Sequence, residues 1–452
     1  MLTLVLASVR TRLGQYAGVV LVSFMSAGLL TLLASVLDRV HRTDPGHGAE
    51  RAAQSLLGLV GGTSGFAAML LVANTLALVA QQRRVEIGTL RVVGATASQI
   101  RAQIVGEAAV VALLGGTAGG VAGSAAAGTA LQWLIGHGVL PSGPQAGFSP
   151  TGFAVGVLST VVIAVPAALA AVRGPLRTSP IDAVRDATVE RRTFPVGRTV
   201  AAVATLALAW AAWDHYGRKN GAHEAVNGAM ALCLMLLIAA WLLLPLVVRP
   251  VAFLSALPGR LLSRCTGRLA AANSGAAGRR VAAMAGPVLL AAGLCTMLLC
   301  GNAVSQAADT TQTAVQQQNN AVGMRILMTP LLVYTAVGIL NTLLLATRQR
   351  RQEFAALRLA GSTKAQLLRM LGWESVVVVL SGLLVAALVS TVFLAGLSAR
   401  IAPYLTMAPA ALPWGALAQV AAGCAGLGVL GVLVPGAWVL RVRPVCAVRS
   451  AE

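Results

Sequence analysis

Apolar residues in this chain neither alternate nor form one-sided stripes. They come in long unbroken blocks separated by short polar stretches. An α-helix needs about 20 residues to cross a hydrocarbon core of roughly 30 Å. Ten blocks meet that length or approach it: 14–37, 56–80, 107–135, 152–172, 199–213, 227–248, 281–304, 326–347, 374–397 and 415–439. The pattern predicts an all-α polytopic membrane protein with ten transmembrane helices. The fifth block is the shortest, and parity supports it. Without it, every later polar stretch would change sides.

Two of the polar stretches are versions of one sequence. Residues 81–107 read QQRRVEIGTLRVVGATASQIRAQIVGE, and residues 348–374 read RQRRQEFAALRLAGSTKAQLLRMLGWE. From Asn74 to Glu107 and from Asn341 to Glu374, 14 of 34 positions are identical at a constant offset of 267. Weaker matches, Pro180 with Pro444 and Ala17-Gly18 with Ala285-Gly286, extend the likeness. The chain therefore contains an internal repeat. We expect a first repeat of four spans over 1–186, a linker and two-helix hairpin over 187–251, and a second four-span repeat over 252–452. Two intervening spans make the repeats parallel.

Within each stretch, apolar residues recur every three or four positions, as in an amphipathic helix at the membrane boundary. Gly94 and Gly361 stand where a helix C′ glycine belongs. Thr96 with Gln99, and Thr363 with Gln366, fit a capping box that starts another helix. The expectation is a helix, a glycine corner and a second helix running into a span. Topology alone asks for arginines. It does not ask for an acid, a glycine and a cap in register with their copies. The candidate docking residues are Arg83, Arg84, Glu86, Arg91, Gly94, Thr96 and Gln99, with Arg350, Arg351, Glu353, Arg358, Gly361, Thr363 and Gln366.

Charge then fixes orientation. The formal net charge is +20, which might suggest nucleic acid, but its distribution excludes that reading. With the N-terminus in the cytoplasm, 27 of the 34 Lys and Arg fall on the cytoplasmic side and 7 outside. The positive-inside rule then places both termini in the cytoplasm. The first span reads as uncleaved, since its apolar stretch is too long for a signal peptide. The external loops are too short to bury a core, so no large extracytoplasmic domain is expected. Gly115, Gly119 and Gly123, four apart, predict close helix packing.

Catalytic chemistry is missing. No phosphate-loop motif occurs, and neither the six cysteines nor the five histidines show ligand spacing. Asn74 and Asn341 lie within spans at matching positions and are candidates for a bond across the repeat axis. Glu107 and Glu374 invite a proton-relay reading, but their place at the start of a span favours a helix-dipole role.

The pattern RR-x-E-(I/F)-x-x-LR-x-x-G-(A/S)-T-x-x-Q, followed by Glu and a Gly-rich span, resembles the FtsX-like permease family, which includes the MacB-type and bacitracin-exporter-type ABC permeases. The likeness covers about 65–186 and 326–449. It implies a permease subunit in a bacterial cytoplasmic membrane, exporting a substrate or extracting it from the bilayer. The substrate would be of the class of a drug, a peptide or a lipid. It also implies that the two repeated stretches are coupling elements seated in two copies of a separate ABC ATPase. ATP and Mg²⁺ would bind there, with no cofactor in this chain. The large external domains of those relatives are missing, and loop 305–325 is only a tether. Two alternatives stay open: a signalling or regulatory membrane subunit that transmits force without transport, and a proton-coupled secondary transporter.

Overall fold

The computed structural model describes residues 13–42, 48–136, 148–177, 196–217, 222–262, 266–276, 278–308, 314–349, 351–401 and 412–439. These form fourteen helices: α1 Leu13–Arg42, α2 Gly48–Gln82, α3 Arg84–Val92, α4 Ala97–Gly136, α5 Pro150–Arg177, α6 Val196–Gly217, α7 Ala222–Ser255, α8 Leu257–Leu262, α9 Thr266–Ala276, α10 Gly278–Ala308, α11 Ala314–Gln349, α12 Arg351–Leu359, α13 Lys364–Ile401 and α14 Trp414–Val439. No strand occurs among the described residues. Ten helices are long and apolar enough to cross a membrane, and they fall on the ten expected blocks. The protein is a multi-pass, all-α membrane protein.

The chain divides into two compact units. One comprises 1–189 with 314–341, and the other 190–313 with 342–452. This packing division differs from the division by sequence repeat. The first part of α11, the second span of the second repeat, belongs to the first unit.

In the first unit, α1 packs against α2, α4 and α5. Glycine sets the approach. A Cβ on Gly115 would lie 2.8 Å from the carbonyl oxygen of Val20, and one on Gly119 would run into that of Phe24. On the neighbouring side, a Cβ on Gly156 would lie 2.7 Å from the backbone nitrogen of Thr31. The glycine faces of α4 and α5 thus let two helix backbones close on α1, as small residues do at membrane helix contacts. The core between them holds Tyr16, Val19, Val22, Leu71, Leu76, Val111 and, from α11, Tyr334. The Tyr334 hydroxyl donates to the Ser26 carbonyl at 3.3 Å.

In the second unit, α10 packs against α13, α7 and α14. A Cβ on Gly382 would lie 2.7 Å from that of Val288. Positions 386 and 390, which align with Gly119 and Gly123, hold Ala and Ser. The α6–α7 hairpin joins this unit through α7, which touches α10 and α13. α6 carries Val200, Val203, Leu208 and Trp210 exposed, as expected of a lipid-facing helix.

Candidate functional site

The two repeated stretches fold alike. α3 ends at Val92 with Val93 as its C-cap. Gly94 follows at φ +104°. The Gly94 amide donates to the Arg91 carbonyl at 3.2 Å, and the Ala95 amide to the Leu90 carbonyl at 2.9 Å. These two bonds make a Schellman motif, which needs a left-handed residue at C′. α12 ends the same way. Gly361 has φ +94°, its amide donates to Arg358, and that of Ser362 to Leu357. No other described residue has positive φ. Both corners lead into capping boxes. The Thr96 amide donates to Gln99 Oε1 at 3.0 Å, and the Gln99 amide to Thr96 Oγ1 at 3.3 Å. The corresponding distances for Thr363 and Gln366 are 2.9 and 3.3 Å.

The corner of the first element is the exposed part. Val92 and Val93, the last residues before Gly94, are 65% and 87% exposed. Leu359, beside the second corner, is also exposed. In each element, two exposed apolar or small residues and a glycine turn form a blunt tip between a short helix and the long helix that follows it.

The charged candidates separate. Arg83 is buried, at 4% exposure, and forms the joint between α2 and α3. Its Nη1 reaches the Tyr16 hydroxyl at 2.7 Å and pairs with the Glu107 carboxylate. Its Nε and Nη2 reach Glu86 at 3.1 and 3.2 Å. Burial alone would lower the guanidinium's pKa. Glu86, Tyr16 and Glu107 together outweigh that and raise it above the ordinary value. Arg83 therefore does not face the exposed side of the element. Arg84 opens α3, and its side chain lies outside the described residues. Arg91 is half-buried and donates to the Leu176 carbonyl at 3.2 Å. In the second element, Arg350 and the Arg351 side chain lie outside the described residues, and Arg358 is half-buried. Glu353 is half-exposed and sits 3.6 Å from Arg280.

Glu107 corrects an expectation. It is not at the start of its helix. The capping box begins α4 at Ala97, and the helix runs unbroken to Gly136, so Glu107 lies three turns inside, where the macrodipole's end effect has faded. It is fully buried. It accepts from the Tyr16 hydroxyl and from Gln103 Nε2, the latter at 3.0 Å, as well as from Arg83. Glu374 likewise sits within α13. It is half-buried and accepts from Asn273 Nδ2 at 3.2 Å.

Asn74 and Asn341 are both buried. Asn341 Nδ2 donates to Thr75 Oγ1 at 3.0 Å, one residue along from the expected partner. Sequence reasoning missed Tyr16, Gln103 and Asn273. No group of three metal-ligating side chains occurs among the described residues.

Comparison with protein families gives one match. The model described as FtsX-like permease C-terminal covers residues 58–180 and 325–444, together more than half of the chain and including both elements. The comparison with curated proteins returned no match.

Proposed function

This chain belongs to the FtsX-like permease family, whose members are membrane subunits of the ABC-permease type, and we propose that it couples ATP hydrolysis in two copies of a separate ABC ATPase to movement of its own spans. One ATPase sits under each glycine corner. The observation that carries this reading is the duplication of one geometry, the Schellman corner plus capping box at Gly94 and Gly361. Two exposed elements built alike suit two copies of one partner. ATP and Mg²⁺ bind on those partners. The sequence carries no phosphate-loop motif.

On this reading, closure of the two ATPases displaces α3 and α12. Each corner passes the displacement into a helix that is also a span, since α4 and α13 run without a break from their capping boxes through the membrane. The work drives export, or extraction from the bilayer, of an amphipathic substrate such as a drug, a peptide or a lipid. The chain sits in the bacterial cytoplasmic membrane with both termini inside, in keeping with its arginine asymmetry. We read it as similar to the MacB-type and bacitracin-exporter-type permeases, but without the large external domain those permeases carry.

The test is co-expression with the ABC ATPases of the source genome, followed by purification through a tag on this chain. An ATPase should co-purify with the wild type and be lost when Val93 and Leu359, exposed beside the two corners, are both replaced by Glu. Retention of the ATPase by that double variant at wild-type level would remove the docking reading.

A further inference from the structure

Arg83 stands at the one break between α2 and α3. Its φ of −88° and ψ of 10° leave the helical region. One backbone bond meets Arg83 from each side, Arg83 N to Val79 O at 3.2 Å and Ile87 N to Arg83 O at 2.9 Å. A joint held by two backbone bonds alone would bend under load. The guanidinium adds a second connection. One edge, Nε and Nη2, binds Glu86 on α3. The other, Nη1, binds Tyr16 on α1 and Glu107 on α4.

We propose that Arg83 is a positioning residue that clamps the α2–α3 joint to α1 and α4, so that displacement of α3 reaches the first and third spans instead of being lost in bending. The proposal rests on the reading of α3 as the ATPase-coupling element. It assigns Arg83, Tyr16 and Glu107 to transmission and leaves docking to the exposed tip.

The planar fork is what the site needs. Five donors in fixed geometry serve two carboxylates and a phenol at once. A lysine supplies the same charge from one nitrogen and serves only one edge. Arg83→Lys therefore separates two roles. It keeps the buried charge balance on which folding depends, and it gives up the bridge. Tyr16→Phe is gentler, removing one hydroxyl from the clamp and leaving the ring in the core.

The test uses the full-length chain in lipid nanodiscs, with hydrogen–deuterium exchange read over α3 and over α1 and α4. In Arg83→Lys, amides of α3 should exchange about tenfold faster, as for loss of a charge-assisted bond. Protection in α1 and α4 should be unchanged. Tyr16→Phe should give a smaller change of the same sign, and it decides the matter if the lysine variant does not fold. Unaltered α3 exchange in a folded variant overturns the clamp. In complexes co-purified with the ATPase, Arg83→Lys should lower ATP turnover roughly tenfold while the captured amount stays at wild-type level. Faster α3 exchange with undiminished turnover overturns transmission. Failure of the wild-type chain to capture any ATPase overturns the coupling reading and the transmission built on it, while α3 exchange alone still decides the clamp.

Discussion

Asn341 Nδ2 donates to Thr75 Oγ1 at 3.0 Å, joining α11 to α2, the second spans of the two sequence repeats. The two partners differ in what they lose if the other is removed. Thr75 Oγ1 also donates to the Leu71 carbonyl at 2.9 Å, so Asn341→Leu leaves it satisfied. That variant should cost about 0.6 kcal/mol, the usual worth of a hydrogen bond inside a membrane protein. Thr75→Val instead leaves a buried amide without its acceptor, and should cost about 1–3 kcal/mol. Thermal unfolding of the detergent-solubilised variants checks the order. A larger loss in Asn341→Leu would mean the bond is not the main role of that amide.

Gly119 and Gly58 should answer the same substitution with opposite signs. Both are helical, but a Cβ on Gly119 runs into the Phe24 carbonyl, while one on Gly58 meets nothing within 4 Å. Gly119→Ala must push α4 from α1, costing about 1–3 kcal/mol. Gly58→Ala removes only glycine's backbone freedom, and should be neutral or stabilising by up to about 1 kcal/mol. Melting temperatures of the two variants, measured in the same detergent, decide it.

The contrast between Gly119 and Glu107 also shows what was legible in the sequence. Span number and glycine packing depend on local pattern, and both were readable. The corners were readable because a Schellman turn and a capping box each need particular residue types at fixed short spacing. Glu107 was misread although its evidence was present. If Thr96 and Gln99 cap a helix, that helix starts at Ala97, and a carboxylate ten residues on is interior. Its partner Tyr16 is 91 positions away, and no local pattern reports a contact of that range. One sign existed: Tyr16 opens the first span and the arginine-rich stretch follows the second, so an up-and-down pair of spans brings both to one membrane face. Nor did the repeat pattern reveal that the first part of α11 packs in the first unit, because a repeat records likeness of sequence and carries no information on which copy a helix packs against.

Gly94 should be replaceable according to backbone preference alone. At φ +104° an L-residue is strained, yet a Cβ there meets no atom within 4 Å. The cost is therefore conformational and not steric. Gly94→Asn should be the mildest change, since Asn enters left-handed conformations more readily than other residues. Gly94→Ala should cost about 1–2 kcal/mol, and Gly94→Val more, through β-branching. Gly361, at φ +94° and equally open, should give the same order. Exchange protection at Ala95 and Ser362, whose amides close the two Schellman turns, reports the corner directly. An order in which Ala is milder than Asn would show that something other than backbone conformation selects glycine.

The last expectation concerns the two halves. Glu107 is fully buried and accepts from a guanidinium, a phenol and an amide. The second repeat cannot build the same cluster. Tyr16 aligns with Met284 and Gln103 with Met370, so two of the three donors become thioethers. Glu374 is half-buried and takes a neutral bond from Asn273. Glu107→Gln takes one of two carboxylate partners from the buried Arg83 charge and leaves Glu86 as the other, a loss of about 1–3 kcal/mol. Glu374→Gln keeps an acceptor for Asn273 and exchanges a partly solvated group, so it should cost less than Glu107→Gln. The check is the melting temperature of each variant by size-exclusion recovery after heating. Equal losses would mean that both halves hold their carboxylate equally tightly. A larger loss for Glu107→Gln, with α3 loosened and α12 unchanged in exchange, would mean that the first repeated element is the more rigidly held of the two. On the coupling reading proposed above, a push on α3 would then reach the spans more completely than a push on α12.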